Sequence, residues 1–177
     1  MRLLTPWLLA LLVLGGCDRP QTDVEPTPDV GGARYKADLR AQIVDADRIV
    51  VSEHSFWMDF AGRKTAESHE AHEVVYKRIE LTRSQREGFL SAVDSLPPQG
   101  SEILTRCAFQ PHHRIDFYVR GRLASSMEIC FVCVKVKWTG SESTPPQALY
   151  AGLAAFIEAI GMRPHQNWRL LAAGHEG

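Results

Sequence analysis

The sequence has no apolar run of the roughly 20 residues that a membrane-spanning helix needs. Its longest apolar stretch, residues 3–14, is shorter and contains Pro6. No phosphate-binding loop, dinucleotide fingerprint or nucleophile elbow is present, so no motif indicates nucleotide chemistry or a hydrolytic triad. The formal net charge of −1 gives no electrostatic reason to expect nucleic acid or an anionic lipid surface as a partner.

The N-terminus has the features of a secretory signal. Arg2 supplies a cation, residues 3–14 form an apolar core, and two glycines give a small-residue exit. The residues Leu14-Gly15-Gly16-Cys17 resemble the lipobox of bacterial lipoproteins, in which an aliphatic residue and two small residues precede a cysteine. The resemblance implies that residues 1–16 are removed and that Cys17 is acylated on its sulfur and its new amino group. The alternative is an ordinary secretory signal with a coincidental cysteine.

Several acyl chains would hold the mature chain at a membrane, because each buried methylene contributes about 0.8 kcal/mol. In enteric bacteria an aspartate after the lipidated cysteine, as Asp18 is here, is associated with retention in the inner membrane. We therefore expect the protein in the cell envelope, facing the periplasm from the inner membrane. Residues 17–34 are rich in proline and polar side chains and are expected to form a flexible tether, followed by a single domain at 35–174.

The domain combines strand and helix patterns. Runs rich in β-branched residues predict strands at 48–52 and 72–81. Thr82, with Gln85 three residues later, predicts the start of one helix, and Thr144 predicts the start of another. The expected fold is α+β, with an antiparallel sheet and two main helices packed on one face.

Residues 114–138 predict a β-hairpin. In its return strand, 123–138, the apolar residues that should face inward have odd numbers at first and even numbers later. In a regular strand every second residue faces the same side, so this switch requires an irregularity. We therefore expect a bulge near Val132, which would place Cys130 and Cys133 on the same face of the sheet.

The register of the hairpin depends on the length of its turn. A three-residue loop at 120–122 would pair Ile115 with Met127 across the two strands. The same register places His112 opposite Cys130. The hairpin would thus gather five side chains that can bind metal or react as thiols and bases: Cys107, His112, His113, Cys130 and Cys133.

Three interpretations of this cluster remain open at this point. The first is a tetrahedral zinc site, with zinc as the cofactor, formed by Cys107, His112, Cys130 and Cys133. The second is a structural disulfide between Cys107 and either Cys130 or Cys133, since thiols oxidise outside the cytoplasm; it would contribute roughly 3 kcal/mol. The third is a redox-active pair of Cys130 and Cys133, activated by a neighbouring histidine.

The motif Cys107-x4-His112, with Pro111 before the histidine, is followed by the run Glu128-Ile129-Cys130-Phe131-Val132-Cys133. This combination resembles an uncharacterised family of small secreted or lipid-anchored bacterial proteins. The resemblance implies that the cluster acts as one unit, and it implies no particular reaction.

Two other segments were candidates for function. Residues 56–60 are rich in aromatic side chains and predict either a core strand or an exposed hairpin tip that contacts a partner. His69 and His72 are three residues apart, whereas the helical zinc-peptidase motif needs a spacing of four, so we expect a solvated loop there.

These features favour a membrane-anchored envelope lipoprotein whose domain acts as a binding or assembly module for an envelope protein. The alternative is a metal-binding or thiol-redox protein that uses the cluster of Cys107, His112, Cys130 and Cys133. The sequence favours binding over catalysis, and it predicts no binding of nucleic acid.

Overall fold

The computed structural model describes residues 30–60, 73–100 and 106–175. The predicted signal at 1–16, the lipidation site Cys17, and His69 and His72 lie outside the described residues. Helix α1 begins at Val30, within residues 17–34, which were expected to form a flexible tether. Within the described ranges, no helix has both the length and the apolar character needed to cross a membrane.

The fold is α+β, as the sequence predicts. Five strands form one sheet in the order β2-β1-β3-β4-β5, and every neighbouring pair is antiparallel. A short 3-10 helix, Trp57–Phe60, follows β1, and a short helix closes the described chain. The elements are α1 (Val30–Asp45), β1 (Arg48–His54), β2 (Val75–Glu80), α2 (Arg83–Asp94), β3 (His113–Val119), β4 (Arg122–Cys130), β5 (Lys135–Trp138), α3 (Leu149–Ala159) and α4 (Trp168–Ala173).

Three helices, rather than the two expected, cover the apolar face of the sheet. The additional one is α1, which buries Tyr35, Leu39 and Ile43 at a spacing of four residues. In the same core the rings of Phe89 from α2 and Phe156 from α3 stack with their centroids 4.3 Å apart. The sheet contributes the alternate inward residues of its central strands, namely Ile49, Val51, Ile115, Phe117, Met127 and Ile129.

The predicted start of α2 is confirmed, and that of α3 is wrong. Thr82 and Gln85 form the reciprocal capping box, with Oγ1 and Oε1 each accepting a hydrogen bond from the other residue's N–H. Helix α3 begins only at Leu149, five residues after Thr144. The residues between Thr144 and Leu149 do not join the helix, because Pro146 forms an isolated β-bridge with Gly100. The buried face of α3 is an apolar stripe of Leu149, Leu153, Phe156 and Ile157.

The predicted bulge near Val132 is wrong, because the chain reverses direction there. Strand β4 ends at Cys130, β5 begins at Lys135, and these two residues are paired. The N–H of Val134 donates to Phe131 O at 3.3 Å and closes the tight turn between them. In this hairpin odd residues pair with even ones, as in Ile129 with Val136, so a turn changes the inward parity just as a bulge would.

The turn between β3 and β4 has two residues instead of the predicted three. Arg120 and Gly121 both have positive φ, at 54° and 73°, which is typical of the tight turns that join twisted strands. A bulge between Phe117 and Tyr118 then shifts the register by one residue. The two differences cancel, so Ile115 pairs with Met127 as predicted.

Candidate functional site

An open cleft of about 600 Å³ lies at the end of the sheet where β3 begins and β4 ends. Four of the five predicted site residues line it: Cys107, His112, Cys130 and Cys133. We call this space the site cleft. Its other lining residues are Asp59, Gln110, Val132, Gln166, Asn167, Trp168 and Arg169.

The cysteines form one bridge and leave one thiol. Cys107 and Cys133 are bonded, with Cα atoms 5.5 Å apart, and Cys130 is free and buried. This agrees with the interpretation of a disulfide from Cys107 and selects Cys133 as its partner. The bridge uses two of the thiolates that the zinc site required, and the described residues contain no group of three or more His, Cys, Asp or Glu side chains arranged to hold a metal ion.

His112 is held in the floor of the cleft by Asp59. Its Nε2 lies 3.1 and 3.2 Å from the two carboxylate oxygens, and both side chains are buried. Asp59 also accepts the backbone N–H of Phe56 at 2.7 Å. The carboxylate therefore ties the 3-10 helix to the segment before β3 and fixes the orientation of the imidazole.

Trp168, the first residue of α4, forms one wall of the cleft. Its indole stacks on the His112 ring with centroids 4.4 Å apart and an interplanar angle of 5°. Asn167 precedes it and accepts the N–H of Leu170 at 3.0 Å through its side chain, which caps α4. The cap and the stacking together place α4 against the 3-10 helix.

His113 does not belong to the cleft, contrary to the sequence prediction. As the first residue of β3 it faces the side of the sheet that carries the core, where its Nε2 lies 3.8 Å from Glu53 Oε1. That distance is too long for a hydrogen bond, and His113 Nε2 has no hydrogen-bond partner among the described residues. Burial raises the pKa of Glu53, but His113, the N–H of Arg163 at 2.7 Å and Lys77 together lower it below its ordinary value.

A second group of polar side chains lies on the face of the sheet opposite the core. Glu73 receives two hydrogen bonds from Arg114, at 2.7 and 2.8 Å, and these lower the pKa of its carboxyl. His54 lies beside them, with Nδ1 donating to Ser55 O at 3.0 Å. Burial lowers the pKa of His54, and within the described part of the chain its Nε2 has no hydrogen-bond partner.

Three exposed apolar side chains lie on three segments that line the site cleft, and one of them, Val132, lines the cleft itself. Val132 is 69 % exposed in the turn between β4 and β5, Trp57 is 62 % exposed on the 3-10 helix, and Leu170 is 70 % exposed on α4. The aromatic segment at 56–60 is thus neither a strand nor a hairpin tip. Its tryptophan projects into solvent while Phe60 is buried. We call Trp57, Val132 and Leu170 the apolar rim.

Comparison of the chain with protein families, with curated proteins and with solved structures gives no match. The two resemblances noted in the sequence therefore stay predictions.

Proposed function

We propose that this chain is a lipid-anchored protein of the bacterial envelope, and that its folded domain binds another envelope protein at the site cleft. The apolar rim carries this proposal. Val132 is exposed in the lining of the cleft, and Trp57 and Leu170 are exposed on the 3-10 helix and α4, which supply other lining residues. Exposed apolar groups gathered at one place are typical of protein-binding surfaces, and tryptophan is the residue most enriched among those that dominate binding.

The floor of the cleft supports recognition of a specific partner. Gln110, Gln166 and Asn167 line the cleft with amide groups, together with the His112 ring that Asp59 holds. An apolar contact ring around convergent polar groups is the usual arrangement of a binding site, since the first gives affinity and the second gives orientation.

The cysteines support the proposed compartment. A bridge between Cys107 and Cys133 fits an oxidising environment outside the cytoplasm. Export is also what the signal-like N-terminus and the lipobox resemblance at Cys17 predict. The anchoring is tested by Cys17→Ser: the variant should lose the lipid mass and leave the membrane fraction. Unchanged processing and fractionation would contradict the lipid anchor.

The binding proposal is tested by site-specific crosslinking in intact cells. A photoreactive amino acid at position 57, in the rim, should give a discrete adduct with an envelope protein. Adding Val132→Arg should lower the adduct yield about tenfold, which corresponds to about 1.4 kcal/mol of binding energy.

Leu123→Arg is the matched control, because Leu123 is 57 % exposed on the same strand as the cleft cysteine Cys130 but does not line the cleft. It should leave the adduct yield unchanged. Equal yields in the two arginine variants, or no adduct from position 57, would contradict binding at the rim.

A further inference from the structure

The proposed binding role does not use one reactive group of the cleft, the thiol of Cys130. Cys130 is a free thiol at the end of β4, and Cys133 lies three positions later around a tight turn. Their Cα atoms can therefore be at most about 11 Å apart. The same cleft is lined by both and by Cys107, so a thiol and a disulfide share one small space.

The two ends of the bridge differ in access. Cys107 is exposed to solvent, whereas Cys130 and Cys133 are each 2 % exposed. Thiol–disulfide exchange begins with attack of a thiolate on one sulfur, and access decides which sulfur is attacked. An external thiol therefore reaches Cys107 and not Cys133. The cleft volume of about 600 Å³ is in the range that holds a small molecule.

The surroundings suit the thiol that such an attack would release. Cys133 Sγ lies 2.8 Å from the carbonyl oxygen of Ala108. In the bridged state this sulfur carries no hydrogen, so the contact is not a hydrogen bond. Once protonated, the Cys133 thiol would have an acceptor already in place, which removes the cost of leaving a buried polar group unpaired.

A proton acceptor is also present in the cleft. A carboxylate can only accept, so the contact with Asp59 assigns the ring hydrogen of a neutral His112 to Nε2. Nδ1 is then the basic nitrogen of the ring.

We propose that the site cleft performs thiol–disulfide exchange in which a low-molecular-weight thiol opens the bridge at Cys107 and Cys130 closes a new bridge to Cys107. In the first step the external thiolate bonds to Cys107 Sγ, and Cys133 leaves as a thiolate. In the second step Cys130 loses its proton and attacks Cys107 Sγ, and the external thiol is released unchanged. The net result is transfer of the bridge and movement of one proton from Cys130 to Cys133, with no net oxidation.

The experiment uses the full chain with Cys17→Ser, so that only the three cleft cysteines remain. The protein is incubated with substoichiometric reduced glutathione and quenched with acid. Its free thiols are alkylated, and its bridges are mapped by mass spectrometry of proteolytic peptides. The Cys107–Cys130 peptide pair should be at least about tenfold more abundant than in a sample without thiol.

Two single variants isolate the second step. Cys133→Ser should form the Cys107–Cys130 bridge in a glutathione redox buffer under native conditions. Cys130→Ser is the matched control: each of its molecules should have Cys107 either in the bridge to Cys133 or in a mixed disulfide with glutathione, and in no other bridge.

The proposal is overturned if folded Cys133→Ser keeps Cys130 free while Cys107 carries glutathione. If this variant does not fold, the test rests on the glutathione incubation of the Cys17→Ser chain. Finding only the Cys107–Cys133 bridge after that incubation overturns the proposal. No protein partner takes part in these measurements. Their failure is therefore separate from a failure of crosslinking at the apolar rim.

Discussion

Asp59 is the residue on which the geometry of the cleft most depends. Its carboxylate accepts the Phe56 N–H and contacts His112 Nε2, so one side chain holds both the 3-10 helix and the imidazole. Asp59 and His112 are 53 positions apart in sequence. The sequence indicated that His112 belongs to a site but could not identify its partner, because nothing local distinguishes Asp59 from the other carboxylates of the chain.

Asp59→Asn should lower the free energy of unfolding by about 1–3 kcal/mol, since hydrogen bonds of buried charged groups contribute about that much. It should also remove the preference for the Nε2–H form of the His112 ring, because an amide can donate as well as accept. Denaturant titration measures the first effect, and ¹⁵N NMR of the labelled histidine ring measures the second. An unchanged ring spectrum would contradict the assigned contact.

Val134 has φ of 51°, in the left-handed region that β-branched residues rarely adopt. It follows Cys133 directly, so the strained residue lies in the turn that carries the bridge. Val134→Gly should therefore raise the free energy of unfolding by roughly 1 kcal/mol, less the entropy that glycine gains in the unfolded chain. Thermal unfolding measures the change, with Val136→Gly in β5 as a control that should destabilise.

For helices and strands, features that depend on contacts within a few residues could be predicted from the sequence. Features that depend on contacts between distant segments could not. The capping box at Thr82 follows from hydrogen bonds within four residues, and the buried stripe of α3 follows from its periodicity. The start of α3 was not predictable, because Pro146 pairs with Gly100 far away in the chain. The turn at residues 131–134 was not predicted, because a chain reversal and a β-bulge both shift the inward-facing positions from odd to even residue numbers. Helix α4 has only six residues, too few to show a periodicity.

On the outer face of the sheet, His54 in β1 and Arg114 in β3 interact with Glu73 in the segment before β2, and this group should make stability depend on pH. Burial lowers the pKa of His54, so between its folded pKa and its unfolded value of about 6.5 the unfolded chain binds the extra proton. The free energy of unfolding should therefore fall as pH is lowered through 6.5, by up to about 1.4 kcal/mol per pH unit.

His54→Gln should flatten this slope below about pH 6.5. Hydrogen bonds from Arg114 lower the pKa of Glu73, so its contribution is present above about pH 4.5 and is lost only as pH falls further. Glu73→Gln is thus the matched variant: it should remove the more acidic part of the profile and keep the slope below pH 6.5, because the Glu73 carboxylate raises the pKa of His54 and its loss lowers that pKa further. Denaturant titrations across pH measure both, and an identical slope in His54→Gln and the parent chain would contradict the assignment.

For the whole molecule, the bridge connects the segment before β3 to the turn between β4 and β5. Cys107 and Cys133 are 26 residues apart, and closing a loop of that size stabilises a fold by about 3 kcal/mol in the chain-entropy model. Reduction should lower the free energy of unfolding by about that amount, as measured by denaturant titration with and without a phosphine reductant. The double variant Cys107→Ser/Cys133→Ser should be insensitive to the reductant, and an equal response of this variant would contradict the effect of the bridge.

The predicted compartment and the cysteine spacing favoured a bridge from Cys107, but they left two partners for it, and they left a zinc site and a redox-active pair of Cys130 and Cys133 as alternatives. The choice depends on where the chain reverses after Cys130, which only the three-dimensional arrangement supplies. The site cleft as a whole combines residues from 59 to 169, so its composition could not be predicted from the motif between Cys107 and Cys133 alone.

The most direct test of the site is a map of its three thiols in the purified Cys17→Ser chain, with bound zinc measured on the same sample. The account predicts one Cys107–Cys133 bridge, a single Cys130 thiol that reacts with alkylating agent only after unfolding, and no stoichiometric zinc. Three thiols that become reactive together when a chelator removes one equivalent of zinc would contradict it.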